Sequence, residues 1–275
     1  MKRVARAKIN LSLRIIGKRP DGFHEIDTLI APIALADELT IDDAPAFAFS
    51  CSDSTLPTDD TNLAVRAARL FGERTGGAVN ARIDLVKNIP HGAGLGGGSS
   101  DAAAVLLALN ERADGALSPA DLHAIAAQLG SDVPFFLYDS AAHCRGRGEI
   151  VEPCGIDGNY RLLLVKPPFP VPTPWAYQRW LDSRELPDVL YAPQRLAWGD
   201  LVNDLERPVF EKYLFLASLK SWWLEQPEVA GALMSGSGST TFAVLHASAS
   251  IDELERRTRA EFGDALWYCQ TALAA

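Results

Sequence analysis

From Pro90 to Asp101 the chain reads Pro-His-Gly-Ala-Gly-Leu-Gly-Gly-Gly-Ser-Ser-Asp, with glycine at 92, 94, 96, 97 and 98. An alternating apolar stretch (Val79, Ala81, Ile83, Leu85) precedes it and an Ala/Leu-rich stretch, Ser100 to Asn110, follows. The loop therefore joins a strand to a helix N-terminus. Glycines let a backbone turn many N–H groups toward a ligand at close approach, and a helix N-terminus adds partial positive charge. That chemistry suits phosphate, with the hydroxyls of Ser99 and Ser100 available to phosphate oxygens or a metal ion. The plainer reading is a flexible connection with Ser99 or Ser100 as an ordinary helix cap. A Walker A loop is excluded, because no lysine lies between Lys87 and Ser100. Gly92, Gly94 and Gly97 satisfy the dinucleotide pattern GxGxxG. Two helical stretches follow the loop, however, where a dinucleotide fold needs one helix and then a strand.

Three other places carry groups suited to chemistry. Lys8 and Asn10 sit side by side on the polar face of an alternating N-terminal strand, Asp132 stands in Gly-Ser-Asp-Val-Pro, and His24 follows Gly22-Phe23. Taken singly, each has a plainer reading: a solvated lysine, a helix N-cap before Val133-Pro134, and a structural or surface histidine.

Together, and in this order, they resemble the GHMP kinase superfamily. Pro90 through Ser100 is similar to its P-x-x-x-G-L-G-x-S-S loop, with the extra glycines of the diphosphocytidyl-methylerythritol kinases. Ala7-Lys8-Ile9-Asn10-Leu11 resembles the first motif, Asp21-Gly22-Phe23-His24 the second, Gly130 to Pro134 the catalytic segment, and Gly236-Ser237-Gly238 the third glycine motif. The resemblance implies an α+β, two-domain GHMP kinase fold with nucleotide and substrate sites in the interdomain cleft. It also implies phosphoryl transfer from ATP, with Mg²⁺, to a small cytidine diphosphate-linked methylerythritol in isoprenoid biosynthesis. Asp132 would act as general base and Lys8 would polarise the attacking hydroxyl. The loop residues Pro90, His91, Gly92, Ala93, Gly94, Leu95, Gly96, Gly97, Gly98, Ser99 and Ser100 would hold the nucleotide, with Asn62 near the adenine and His91 at a variable position. Asn10 resembles a substrate-binding position, and His24 would read the cytosine edge between the rings of Phe23 and Tyr177. Thr173, in a proline-stiffened segment, is either a wall of the substrate site or part of a connector. No metal ligand is assigned. Other GHMP kinases, of homoserine or mevalonate type, and a non-catalytic ligand-binding member of the fold are the alternatives. The Gly22-Phe23-His24 segment argues against the first, since it has no purpose without cytosine. Retention of both Lys8 and Asp132 argues against the second.

The elements that must position these groups are legible from periodicity and punctuation. Ala5, Ala7, Ile9, Leu11, Leu13 and Ile15 alternate with polar residues, predicting a half-buried strand. Ser118, Pro119 and Asp121 open a second helix after the loop, which Gly130 stops. A polar, Gly-containing stretch at 155–159 suggests a boundary between an N-terminal domain, 1–157, and a C-terminal α+β domain, 158–275. In the latter, Ala232-Leu233-Met234, a Gly/Ser loop and Thr240 to Leu245 precede a helix opened by the capping box Ser250/Glu253. Asn203-Asp204 either faces substrate or caps a helix.

Composition narrows the partners. A net charge of -9 argues against general nucleic-acid binding, which depends on neutralising phosphates with Lys and Arg. Apolar runs are too short for a membrane span, and the four cysteines lie far apart with no CxxC pair. The expectation is a soluble, cytoplasmic enzyme with reduced thiols, a monomer or weak homodimer, acting on a small molecule.

Overall fold

Ala5, Ala7, Ile9, Leu11, Leu13 and Ile15 all enter the core from β1 (Lys2–Lys18) of the computed structural model, which describes residues 1–274. The polar residues between them do not all stay in water. Lys8 and Asn10 are only 4% and 3% exposed, so the strand is covered on both faces at its centre rather than half-buried. Two features cause this. β1 pairs antiparallel with β2 (His24–Asp43) with register shifts between Arg6 and Lys8 and between Asn10 and Ser12, and such irregularities re-aim side chains. The amide of Lys8 also donates to the carbonyl of Leu95 at 2.9 Å, which brings the glycine-rich loop down onto the strand.

The larger sheet has eight strands. Its main path runs β3 (Ala48–Cys51), β4 (Ala81–Val86), β2, β1, β9 (Gly199–Asn203), β8 (Gln194–Leu196), with β5 (Ala141–Gly146) and β6 (Ile150–Cys154) branching from β2. β9 joins by parallel pairing of Ser12 with Val202 and Leu13 with Asn203, so residues after the 155–159 stretch contribute to this sheet. The second sheet is four-stranded, in the order β10 (Val229–Met234), β11 (Thr241–Leu245), β7 (Arg161–Lys166), β12 (Trp267–Ala272).

On one face of the large sheet, α1 (Leu63–Thr75), α2 (Gly97–Arg112) and α3 (Pro119–Leu129) bury small residues such as Ala67, Ala102 and Ala103 against Leu39, Ile41 and Ile83. The alanines let the helices approach closely. On the other face, Ala7, Ile9 and Leu11 meet Leu162, Leu164 and Phe242, and this shared core holds the two sheets together. α6 (Leu214–Leu224) and α7 (Ile251–Phe262) cover the outer face of the small sheet around Trp223, while α4 (Thr173–Arg179) and α5 (Glu206–Lys212) pack beside the end of β1.

The local signals hold. Ser118 caps α3 by accepting from the Asp121 amide, Ser250 caps α7 from Glu253, and Gly130 ends α3. Asn203 does not face the cavity: its amide donates to the carbonyls of Met234 and Gly236, both at 2.7 Å, and its Oδ1 accepts from the Leu205 amide ahead of α5. Asp204 pairs with Arg14 at 2.9 Å and accepts from the Ile15 amide at 2.8 Å.

One buried ion pair ties these elements together. Lys220 on α6 donates to Glu206 Oε2 at 2.5 Å and to the Leu190 carbonyl at 2.7 Å, and Glu206 Oε1 accepts from the Met234 amide at 2.9 Å. Removing one partner leaves an uncompensated buried charge, so Lys220→Met is expected to lower stability by about 3–5 kcal/mol in chemical denaturation. Glu206→Leu added to Lys220→Met should restore part of that loss; a double variant less stable than the single one would refute the assignment.

Candidate active site

Lys8 reaches the site from the centre of β1. Its Nζ donates to Asn10 Oδ1 at 2.6 Å and lies 3.4 Å from Asp132 Oδ2. Asn10 in turn donates from Nδ2 to Thr28 Oγ1 at 2.9 Å, and Thr28 donates to the Ser12 carbonyl. This relay fixes which way the Asn10 amide points, so its oxygen faces the ammonium. Asp132 lies just beyond α3. It caps no helix: the short 3-10 turn Pro134–Leu137 begins at Val133 and receives no side-chain cap. The Asp132 side chain is 38% exposed against 5% for Lys8, so the carboxylate stands at the mouth and the ammonium at the floor.

The glycine-rich loop lies over Lys8, and its glycines answer two separate demands. Gly94 and Gly96 have φ of +77° and +72°. A Cβ on Gly94 would fall 2.4 Å from the Ser235 carbonyl oxygen, and one on Gly96 would fall 2.8 Å from the Phe136 ring and 3.0 Å from Lys8 Cγ. These two glycines serve close packing of the chain on itself. Ser235 Oγ donates to the Gly94 carbonyl at 3.0 Å and the Thr240 amide to that of Ala93 at 3.2 Å, which straps the loop to the Gly236 turn. Ala93 and Leu95 point into the core between the sheets.

α2 starts at Gly97, with Gly96 as its N-cap and no side-chain cap; neither Ser99 nor Ser100 is the cap. Among the described residues, the amides of Gly97, Gly98 and Ser99 have no protein acceptor. Its first turn carries no acidic residue. Such an end binds anions. Ser100 is buried and faces a separate recess with Phe135, Phe136 and Tyr138. His91 and Gly92 are exposed at the start of the loop and Pro90 is half-buried. Asn62 caps α1, accepting from the Ala64 amide at 2.9 Å and donating to the Pro57 carbonyl at 2.8 Å, and Leu63 beside it comes within reach of Gly98.

Lys8, Asn10, Asp132, Gly94 and Gly96 line one end of a cavity of about 410 Å³ that also takes in Phe23, His24, Thr173 and Tyr177. The His24 and Tyr177 rings lie 5.2 Å apart at 31°, and Trp180 meets His24 edge-on at 6.2 Å. Burial, with the Lys18 charge second, lowers the His24 pKa below its ordinary 6.5, which leaves one ring nitrogen an acceptor and the other a donor at neutral pH. Burial, and after it the Asp132 charge, holds the Tyr177 hydroxyl well above the usual tyrosine range. Phe23 is 49% exposed, with the Arg147 guanidinium 4.6 Å over its ring. Thr173 shares a 2.7 Å hydrogen bond with Ser237, which joins the start of α4 to the third glycine motif.

Several lining residues escape sequence reasoning. Thr28 lies on β2 with no local motif, and Arg147 follows a strand end, so nothing short-range marks either. Lys87, Asp37 and Asp101 form a buried cluster under the loop. Burial pushes the Asp101 carboxyl up, Lys87 pulls it back and Asp37 raises it again, leaving it at about 7. Lys87 and the Asn88-Ile89-Pro90 that follows it draw attention in the sequence only as the end of a strand.

Residues 62–140 match the GHMP kinases N terminal domain family. The chain is 45% identical over 270 residues to a 4-diphosphocytidyl-2-C-methyl-D-erythritol kinase of Methylacidiphilum infernorum, covering 96% of this chain and 93% of that one. A crystal structure of a 4-(cytidine 5'-diphospho)-2C-methyl-D-erythritol kinase superposes with a TM-score of 0.81 at 37% identity, covering 100% of both chains. A homoserine kinase from Cytophaga hutchinsonii, at 19% identity and TM-score 0.70 over 99% and 94% of the two chains, shares the fold. With 45% and 37% identity to those two methylerythritol kinases over nearly their full length, and with the lysine and aspartate meeting beneath a glycine-rich helix start, the chain belongs to the 4-diphosphocytidyl-2-C-methyl-D-erythritol kinase family of GHMP kinases.

Proposed function

We propose that the chain transfers the γ-phosphoryl group of ATP to the 2-hydroxyl of 4-diphosphocytidyl-2-C-methyl-D-erythritol, releasing ADP, in non-mevalonate isoprenoid biosynthesis. The observation that carries this reading is the Lys8–Asp132 pair, 3.4 Å apart at the junction between the loop and the aromatic end of the cavity. Phosphoryl transfer asks a protein for positioning and charge stabilisation, plus an acceptor for the proton of the attacking alcohol. Asp132 takes that proton as the hydroxyl oxygen bonds to phosphorus and the bond to the ADP oxygen breaks. Lys8 polarises the hydroxyl and stabilises the negative charge that develops. The free amides of Gly97, Gly98 and Ser99 face the phosphates. At the opposite end the cytosine lies against Phe23 and Tyr177, and neutral His24 offers its edge a donor and an acceptor. Thr173 and Asn10 flank the path between.

Mg²⁺ fits as an ion carried on the triphosphate. Such an ion keeps water and phosphate ligands and needs only one or two protein oxygens. The described residues hold no group of three or more His, Cys, Asp or Glu that would cage a metal. The Ser99 hydroxyl, in the first turn of α2, is the protein oxygen that would hold it, and the ion would supply neutralisation of phosphate charge. Four free thiols and a net charge of -9 suit a reducing cytoplasmic setting without a nucleic-acid partner. No helix among the described residues is long and apolar enough to cross a membrane.

ADP release in a coupled assay with the cytidyl substrate, homoserine and mevalonate tests the substrate assignment: turnover is expected with the first alone. Asp132→Asn should lose roughly 10²- to 10⁴-fold in kcat while ATP still binds. An unimpaired variant would remove the mechanism. Because the His24 pKa lies below its ordinary value, the ring is neutral at pH 7 and gains a proton only as pH falls below about 6.5. KM for the cytidyl substrate should therefore rise on that acid side and stay flat above it, and His24→Gln should abolish the rise. A KM that ignores pH over that range in the unaltered enzyme would show that His24 does not read the base.

A further inference from the structure

The loop is strapped at its middle to β1 and to the Gly236 turn, but its two ends depend on a buried cluster that the proposed chemistry does not use. Before the loop, Asp37 on β2 accepts the amides of Asn88 and Ile89 on Oδ1, at 2.5 and 2.8 Å, and pairs through Oδ2 with Lys87. After the loop, Asp101 on α2 accepts from the same Lys87 Nζ at 2.8 Å. One ammonium thus bridges the strand that enters the loop and the helix that leaves it. Lys87 Nζ also lies 3.2 Å from where a Cβ of Gly97 would stand, directly against the first residue of α2. Asp101 is 3% exposed, and its Oδ1 has no hydrogen-bond partner among the described residues, so Lys87 is what holds its carboxyl.

A helix is rigid over one turn, so fixing it at residue 101 fixes the direction of the amides at 97, 98 and 99. We propose that Asp101, through Lys87 and Asp37, is a positioning residue for nucleotide, setting the aim of the α2 first-turn amides relative to β4. Asp101 itself does not touch the nucleotide. The inference rests on the reading that these amides hold the phosphates of ATP.

Asp101→Ala leaves Lys87 paired with Asp37, so the buried ammonium keeps a counter-ion and the fold is retained. Small misplacements of binding groups carry large kinetic penalties, so KM for ATP should rise about ten-fold or more, with KM for the cytidyl substrate within about two-fold of the unaltered enzyme. Asp101→Asn keeps an oxygen for Lys87 and should hold KM for ATP near its starting value. ADP binding measured by titration calorimetry should show the same order among the three proteins. That measurement needs no turnover, so a failure of the substrate assignment would not mask the result. The inference is overturned if Asp101→Ala only lowers the melting temperature and leaves nucleotide affinity unmoved. It is equally overturned if both KM values rise together, or if Asp101→Asn is as impaired as Asp101→Ala.

Discussion

A lysine ammonium almost closed off from water must find acceptors inside the protein, because an unpaired buried charge is too costly to keep. At Lys8 those acceptors are Asn10 Oδ1 and the Asp132 carboxylate, and much of the surrounding architecture follows from supplying them. The bulged pairing of β1 and β2 turns both Lys8 and Asn10 inward, Thr28 locks the Asn10 amide, and the turn after α3 delivers Asp132 from far along the chain. The pair is asymmetric in exposure, which leaves one carboxylate edge open to a ligand while its partner stays dry. A low local dielectric strengthens both its attraction for Lys8 and its effect on any hydroxyl placed beside it.

Three backbone segments have to crowd around that ammonium, and glycine is what allows it. The Lys8 stem lies against Gly96, and its Nζ is 3.5 Å from where a Cβ of Gly236 would stand. Both glycines have positive φ, a conformation costly for residues with a side chain. Crowded backbone needs its own anchors. Asn203 and Glu206 hold the Met234–Gly236 stretch from below, and Ser235 passes the restraint on to the Gly94 carbonyl. The third glycine motif is thus continuous, through hydrogen bonds, with the phosphate-type loop. It also reaches the start of α4 through the Ser237–Thr173 bond, and α4 carries Tyr177 to the base end of the cavity. The ends of the site are linked by the same set of bonds that encloses Lys8.

The helical stretch of α2, helices α3 and α7 with their caps, and the alternation of β1 and β4 were readable from the residues, because each rests on contacts within a few positions: Ser118 with Asp121, Ser250 with Glu253, glycine at a helix stop. The motifs around Lys8, the loop, Asp132 and Gly236 were legible for the same reason, as short spacings that phosphate chemistry and backbone geometry restrict. What the residues alone did not reveal was direction. Alternation placed Lys8 and Asn10 on a watery face, and the bulged pairing with β2, together with the loop and the Gly236 turn folding over β1, buries them. Ser100 reads as a phosphate ligand by spacing, yet helical rotation from Gly97 turns it into another recess. The meeting of His24 with Tyr177, of Lys8 with Asp132, and of Asp37 with Lys87 and Asp101 joins residues remote in sequence. Such pairs are selected by burial and charge balance in the packed molecule, which no local pattern encodes, so tertiary structure alone decided them.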